Sequence, residues 1–137
     1  MKLSIKDLNG YVKDRMRKEI LGAYRKFEIL SEADLEAFVW ERLRRFLRLR
    51  KANDCRVNCR LALKTDEMGV IHPDIVVTKK SKPWVVFELK EARRRIKDIT
   101  AKRERERLLA CKNTFRAKRG YLLYVCRNEN ADGKSRA

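Results

Sequence analysis

The run Trp84-Val85-Val86-Phe87 constrains this chain most, because four consecutive apolar residues after a polar loop describe a strand with no solvated face. Such a strand must be covered on both sides, which calls for a sheet held between two layers of helix. The flanking segments supply the layers. Residues 4 to 21 read as a helix opened by Ser4, with Ile5, Leu8, Val12, Met16, Ile20 and Leu21 at helical spacing and Gly22 as its expected end. A second helix follows Ser31, where Glu32 and Asp34 suit a helix start and Leu35, Phe38, Val39, Leu43, Phe46, Leu47 and Leu49 form a broad apolar stripe. Beyond the break at Asn53-Asp54, Cys55, Val57, Cys59, Leu61 and Leu63 alternate with Arg56, Asn58, Arg60 and Lys64, the period of a half-buried strand. After a turn over residues 65–69, Ile75-Val76-Val77-Thr78 reads as a second strand. A loop from Lys79 to Pro83 then leads into the third.

From Ala92 to Phe115 the chain is helix-prone, with Ile96, Ile99, Leu108, Leu109, Cys111 and Phe115 as a thin apolar stripe, and Tyr121 to Cys126 is a final buried strand. The expected order after the first helix is α, β, β, β, α, β. The fold class is therefore α/β, a sandwich around one central mixed four-stranded sheet flanked by helices. Residues 1–30 are expected as an N-terminal helical extension, 31–127 as the core and 128–137 as a polar, flexible tail.

Charge then narrows the function. Charged residues make up 40% of the 137 positions, against about 25% in ordinary globular domains, and the net charge is +17. A chain this basic repels itself unless a polyanion is its partner, which points to nucleic acid. The charge is also concentrated: residues 93–119 hold twelve basic residues against three acids, and residues 42–51 hold six against none. Lys79, Lys80, Lys82, Arg93, Arg94, Arg95, Lys97, Lys102 and Arg103 are the expected phosphate contacts. Phosphate contacts give affinity with little sequence information, so weak sequence preference is expected. The ordinary alternative is a solvated helix face, with Glu104 and Glu106 pairing with arginines three or four residues away.

No run of about 18 apolar residues occurs and the first thirty residues are charge-studded, so a soluble, cytoplasmic protein without membrane contact is expected. There the four cysteines stay reduced and serve as small core residues. Cys55 and Cys59 lack CxxC spacing and His72 has no partner at ligand spacing, which speaks against zinc.

The anomaly is that the apolar third strand runs into Glu88-Leu89-Lys90. Alternation puts Trp84, Val86, Glu88 and Lys90 on one face and Val85, Phe87 and Leu89 on the other. If Thr78 faces Trp84 across the hairpin, then Val76 faces Val86 and Asp74 faces Glu88. Carboxylates so opposed have Cβ atoms about 4.5–5.5 Å apart and repel unless a cation intervenes. Mg²⁺ suits a pair of hard oxygen ligands with room left for water and phosphate, and Lys90 stands one step along the same face.

Pro73-Asp74, thirteen intervening residues, then Glu88-Leu89-Lys90, set in an αβββαβ order, resembles the PD-(D/E)xK nuclease superfamily over roughly residues 31–126. The resemblance implies a restriction-endonuclease-like core and a metal-dependent endonuclease that hydrolyses DNA phosphodiesters. In it Asp74 and Glu88 hold Mg²⁺, for which Mn²⁺ substitutes, and Lys90 orients the attacking water and stabilises developing negative charge. It also implies the main-chain carbonyl of Leu89 as a ligand, a glutamate from the helix before the first strand, and a homodimer that addresses two strands. Among Glu28, Glu32, Glu36 and Glu41, the helical wheel favours Glu36, then Glu32, beside the apolar stripe.

Bland readings stand beside these. Asp74 after a proline can be a turn residue, Glu88 and Lys90 an ordinary ion pair, Glu91 a helix-start residue, and His72 a structural hydrogen-bonder. Trp84 is expected on the Glu88 face under this register, although most tryptophans in such strands are core residues. The competing functions are a basic nucleic-acid-binding protein without catalysis and an RNA-cleaving enzyme.

Overall fold

The computed structural model describes residues 3–60, 63–65, 69–92, 98–114, 116–127 and 135–136. The chain is α/β, with a mixed sheet flanked by helices on both faces. Its strands are β1 (Cys55–Cys59), β4 (Ile75–Lys79), β5 (Lys82–Ala92), β6 (Arg119–Arg127) and the two-residue β7 (Ser135–Arg136), in that spatial order. Among the described strands, only β5 and β6 pair in parallel. The crossover between them contains α4 (Asp98–Thr114). A separate hairpin of β2 (Leu63–Thr65) and β3 (Gly69–Ile71) branches off between β1 and β4. The expected first strand is thus broken at Arg60, whose φ of 52° turns the chain out of the sheet. Ser135 and Arg136, from the expected tail, extend the sheet by pairing with Arg127 and Cys126.

The N-terminal segment is a continuous helical rod: α1 (Ile5–Gly10), a π-helical stretch (Tyr11–Met16) and α2 (Arg17–Arg25). Ser4 caps it reciprocally with Asp7. Leu8, Val12, Met16, Ile20 and Tyr24 are all buried, a strict repeat of four. At 100° per residue, each four-residue step drifts about 40° around an α-helix. The wider i→i+5 turns of the π-helical stretch absorb that drift and hold the repeat on one face. Gly22 therefore lies inside the helix, contrary to expectation; the rod ends at Arg25, before Phe27 turns with φ of 59°. These residues belong to the main core: Tyr11 stacks on Phe46 at 4.2 Å, Tyr24 donates to Glu91 at 2.7 Å, and Tyr121 donates to Asn9 at 2.6 Å. Glu91 is accordingly a strand residue of β5, not a helix start.

The helix α3 (Glu32–Leu49), capped by Ser31, packs on the same face of the sheet. One core layer joins this helix and the N-terminal rod to Ile75, Val77, Val85, Phe87 and Leu89. The opposite layer is thinner, with Val76 and Val86 meeting Leu108 and Cys111 of α4 and Ala117. Replacing Ile20, which is 2% exposed, by Ala should cost roughly 2–4 kcal/mol in chemical denaturation. A loss under about 0.5 kcal/mol would mean that the rod is a detachable extension.

Candidate active site

Asp74 and Glu88 are brought together by the register of β4 against β5. Ile75 faces Phe87, Val76 faces Val86 and Val77 faces Val85, so the next position down sets Asp74 opposite Glu88. The route to that register differs from the sequence expectation. The turn is only Lys80-Ser81, both at positive φ, with Lys79 paired to Lys82 and Thr78 to Pro83. A bulge at Trp84 then restores the pairing. Because the bulge resets the alternation, Trp84 joins Phe87 and Val85 in the main core under the Lys79 ammonium, 4.7 Å from its ring. It does not share the Glu88 face.

The two carboxyl groups lie close enough to hydrogen-bond, and Asp74 Oδ2 also accepts the main-chain N–H of Leu89 at 2.7 Å. Asp74 is further fixed through its carbonyl, which accepts from the N–H of Arg60 at 3.0 Å. Glu88 is 8% exposed. Burial first, and then the adjacent Asp74 carboxylate, push its carboxyl up to about 8; Arg107 pulls it partly back and Glu104 pushes it further. Glu88 therefore keeps its proton near neutrality, within hydrogen-bond reach of Asp74. Glu104 carries a buried Oε2 with no hydrogen-bond partner.

Lys90 reaches Glu32 on α3, with its Nζ 4.0 Å from Oε1. Burial raises the Glu32 carboxyl, Lys90 opposes this, and Asp74, Glu91 and Glu104 add to it, so Glu32 faces the cluster. Glu36, one turn along, meets Arg60 at 3.4 Å and lies beside Cys59. The structure thus sets Glu32 against Lys90 and Glu36 against Arg60 at the end of β1. His72 Nδ1 lies 3.4 Å from the Arg60 carbonyl, in keeping with a structural role.

Among the expected phosphate contacts, Lys102 and Arg103 are exposed on α4. Lys79 donates to the Leu3 carbonyl at 3.0 Å and is committed there. Lys80 and Lys82 sit at the turn end of the hairpin, about 20 Å along the strands from Asp74. Arg93, Arg94, Arg95 and Lys97 lie outside the described residues. Sequence reasoning missed Glu104 and Arg107. The signal was there: Glu104, Leu108 and Cys111 are spaced i, i+4 and i+7, so Glu104 continues the stripe that meets the sheet.

Among the described residues, no group of three or more His, Cys, Asp or Glu side chains is arranged to hold a metal ion. The donor chemistry nevertheless fits one hard cation: the Glu88 carboxyl, opposite Asp74, holds a proton that a cation can replace, and a Glu104 oxygen without a hydrogen-bond partner among the described residues is buried in its electrostatic neighbourhood. Among the described residues no helix is long and apolar enough to cross a membrane. No family model, curated protein or solved structure matches the chain.

The raised carboxyl of Glu88 fixes the sign of a pH dependence. Between the ordinary carboxylate value of 4.5 and about 8, the folded state holds a proton that the unfolded chain releases. Stability is therefore full below that window and falls as pH rises through it. In metal-free protein, Glu88→Gln should leave stability at pH 5 nearly unchanged and add roughly 1–3 kcal/mol at pH 9, flattening the profile. Parallel wild-type and variant melting curves across pH would contradict the pairing.

Proposed function

We propose that this protein is a Mg²⁺-dependent endonuclease that hydrolyses DNA phosphodiesters with weak sequence preference, on a site of the PD-(D/E)xK kind in a restriction-endonuclease-like core. The observation that carries the reading is the convergence of Asp74 and Glu88 at one end of the β4–β5 pair, with Lys90 two residues along β5. Asp74 and Glu88 would hold Mg²⁺, or Mn²⁺ in its place, with the Leu89 carbonyl and Glu104 as further oxygen donors. Bound Mg²⁺ supplies positive charge that neutralises the carboxylates and polarises the scissile phosphate.

The Lys90 ammonium orients the attacking water and stabilises charge on the phosphate oxygens. The water oxygen bonds to phosphorus as the water releases a proton to solvent, one phosphorus–oxygen ester bond breaks, and the departing sugar oxygen takes up a proton from solvent. Glu32 holds Lys90 in place, and Glu36 acts through Arg60, which is bonded to the Asp74 main chain. The cations of α4 hold the phosphate backbone, Lys102 and Arg103 among them. In this reading the protein is cytoplasmic, and a homodimer would present two such sites to two strands.

Plasmid nicking with Mg²⁺ or Mn²⁺, against an EDTA control, tests the proposal. Asp74→Asn and Glu88→Gln should each lower the rate at least about a hundredfold, and Lys90→Met by a comparable factor. Saturating Mg²⁺ should raise the melting temperature of wild type but not of Asp74→Asn. Equal cutting by wild type and Asp74→Asn removes the assignment and leaves a non-catalytic nucleic-acid binder. Faster cutting of RNA than of DNA in direct competition would make the enzyme a ribonuclease.

A further inference from the structure

Between α3 and β1 runs an open trough whose Trp40, Arg44, Arg48 and Arg56 take no part in the proposed catalytic steps. One part, about 710 Å³, lies between Ala33, Ala37 and Trp40 of α3 and residues 57–60 at the end of β1. It shares Trp40, Val57 and Asn58 with a second part of about 620 Å³, walled by Arg44, Arg48 and Arg56. Trp40 is half-buried at the joint, with the Arg44 guanidinium 4.4 Å over its ring. Trp40, Arg44 and Arg48 stand four residues apart on one face of α3. Among the described residues, no carboxylate pairs with Arg44, Arg48 or Arg56. The acid that lines the trough, Glu36, is tied to Arg60. Among the described residues β1 is also the edge of the sheet, with no strand beside the main-chain groups on its outer side.

Unpaired arginines call for an anion, and an aromatic ring carrying a guanidinium plane calls for something flat to stack on it. In a duplex the faces of the bases are already stacked on one another; an unpaired strand offers them. The trough also opens at the proposed catalytic end, because Arg60, at its mouth, bonds the Asp74 carbonyl. The five residues of β1 span about 13 Å, the length of about four stacked nucleotides.

We propose that this trough binds a single-stranded segment of DNA, with Trp40 and Arg44 stacking a base and Arg48 and Arg56 holding its phosphates. The proposal rests on the DNA-nuclease reading and names the form of substrate: DNA with an unpaired segment beside the scissile bond.

Binding of a labelled oligo(dT) 12-mer, followed by anisotropy in EDTA, separates this from catalysis. Trp40→Ala should weaken binding at least about fivefold, while Trp40→Phe stays within about twofold of wild type. Arg48→Ala and Arg56→Ala, both at exposed positions, should each weaken binding and flatten its salt dependence. An abasic 12-mer should bind wild type and Trp40→Ala alike. In a Trp84→Phe background, oligo(dT) should quench the fluorescence of Trp40, the tryptophan that remains. Unchanged fluorescence, equal affinity for oligo(dT) and the abasic strand, or full affinity in Trp40→Ala would each overturn the proposal. Tighter binding of oligo(rU) than of oligo(dT) would overturn the assignment to DNA. Trp40-dependent binding in a protein that cuts nothing with Mg²⁺ would remove the nuclease reading and support the trough. Cutting without Trp40-dependent binding would do the reverse.

Discussion

Both faces of β5 are dry from Trp84 to Leu89, and that is the constraint from which the rest of the molecule follows. Phe87 and Leu89 are sealed by the N-terminal rod and α3, and Val86 by α4. The strand then carries this environment onto Glu88, a carboxyl that burial disfavours in its charged form. Such a group must stay neutral or find a partner. Its neighbour across the sheet is another acid, so Glu88 meets the constraint by keeping its proton, at a cost in stability once it ionises. In the proposed reading this burden, with Lys90 two residues away, is the one a divalent cation would relieve.

Much of this was legible in the sequence because strand geometry is rigid. A period of two assigns faces, and an antiparallel register that is right at Val76 and Val86 is right at Asp74 and Glu88 as well. The register was nevertheless reached through a turn that the chain does not make. Lys80 and Ser81 both adopt positive φ, a conformation signalled in sequences by Gly, Asn or Asp, and neither residue announces it. The tighter turn and the bulge at Trp84 displace the pairing in opposite senses and cancel beyond Val77. Their joint trace is Trp84, which lands on the opposite face from the one that alternation gives it.

Helical positions were harder to place, since a wheel gives an angle but no height. Glu32 and Glu36 share a face of α3, and the wheel ranks them almost equally. One turn of about 5.4 Å along the axis separates a glutamate that meets Lys90 from one that meets Arg60. Glu104 was hidden differently. Surrounded by arginines in sequence, it reads as a surface ion-pair residue, yet it continues the stripe of Leu108 and Cys111 under the sheet. The four-residue repeat from Leu8 to Ile20 was visible, but its continuation past Gly22 to Tyr24, and the π-helical stretch that holds it on one face, depend on burial along one whole face.

The distribution of charge suits the nucleic-acid substrate proposed above. A net charge of +17 draws a polyanion toward the protein as a whole, while the acids Asp74, Glu88, Glu104 and Glu32 oppose a phosphate at the one place where chemistry is proposed. Two unit charges about 4 Å apart near a protein surface interact by about 4 kcal/mol, enough to keep a phosphodiester off the carboxylates in the absence of a cation. The basic surface on α4 and along the β1 trough would then hold the backbone whether or not metal is present, whereas approach to Asp74 and Glu88 would require it. In the proposed mechanism affinity and reaction are thereby separated in space: arginines far from the carboxylates carry the binding, and a small acidic patch, made tolerable by one divalent ion, carries the cut.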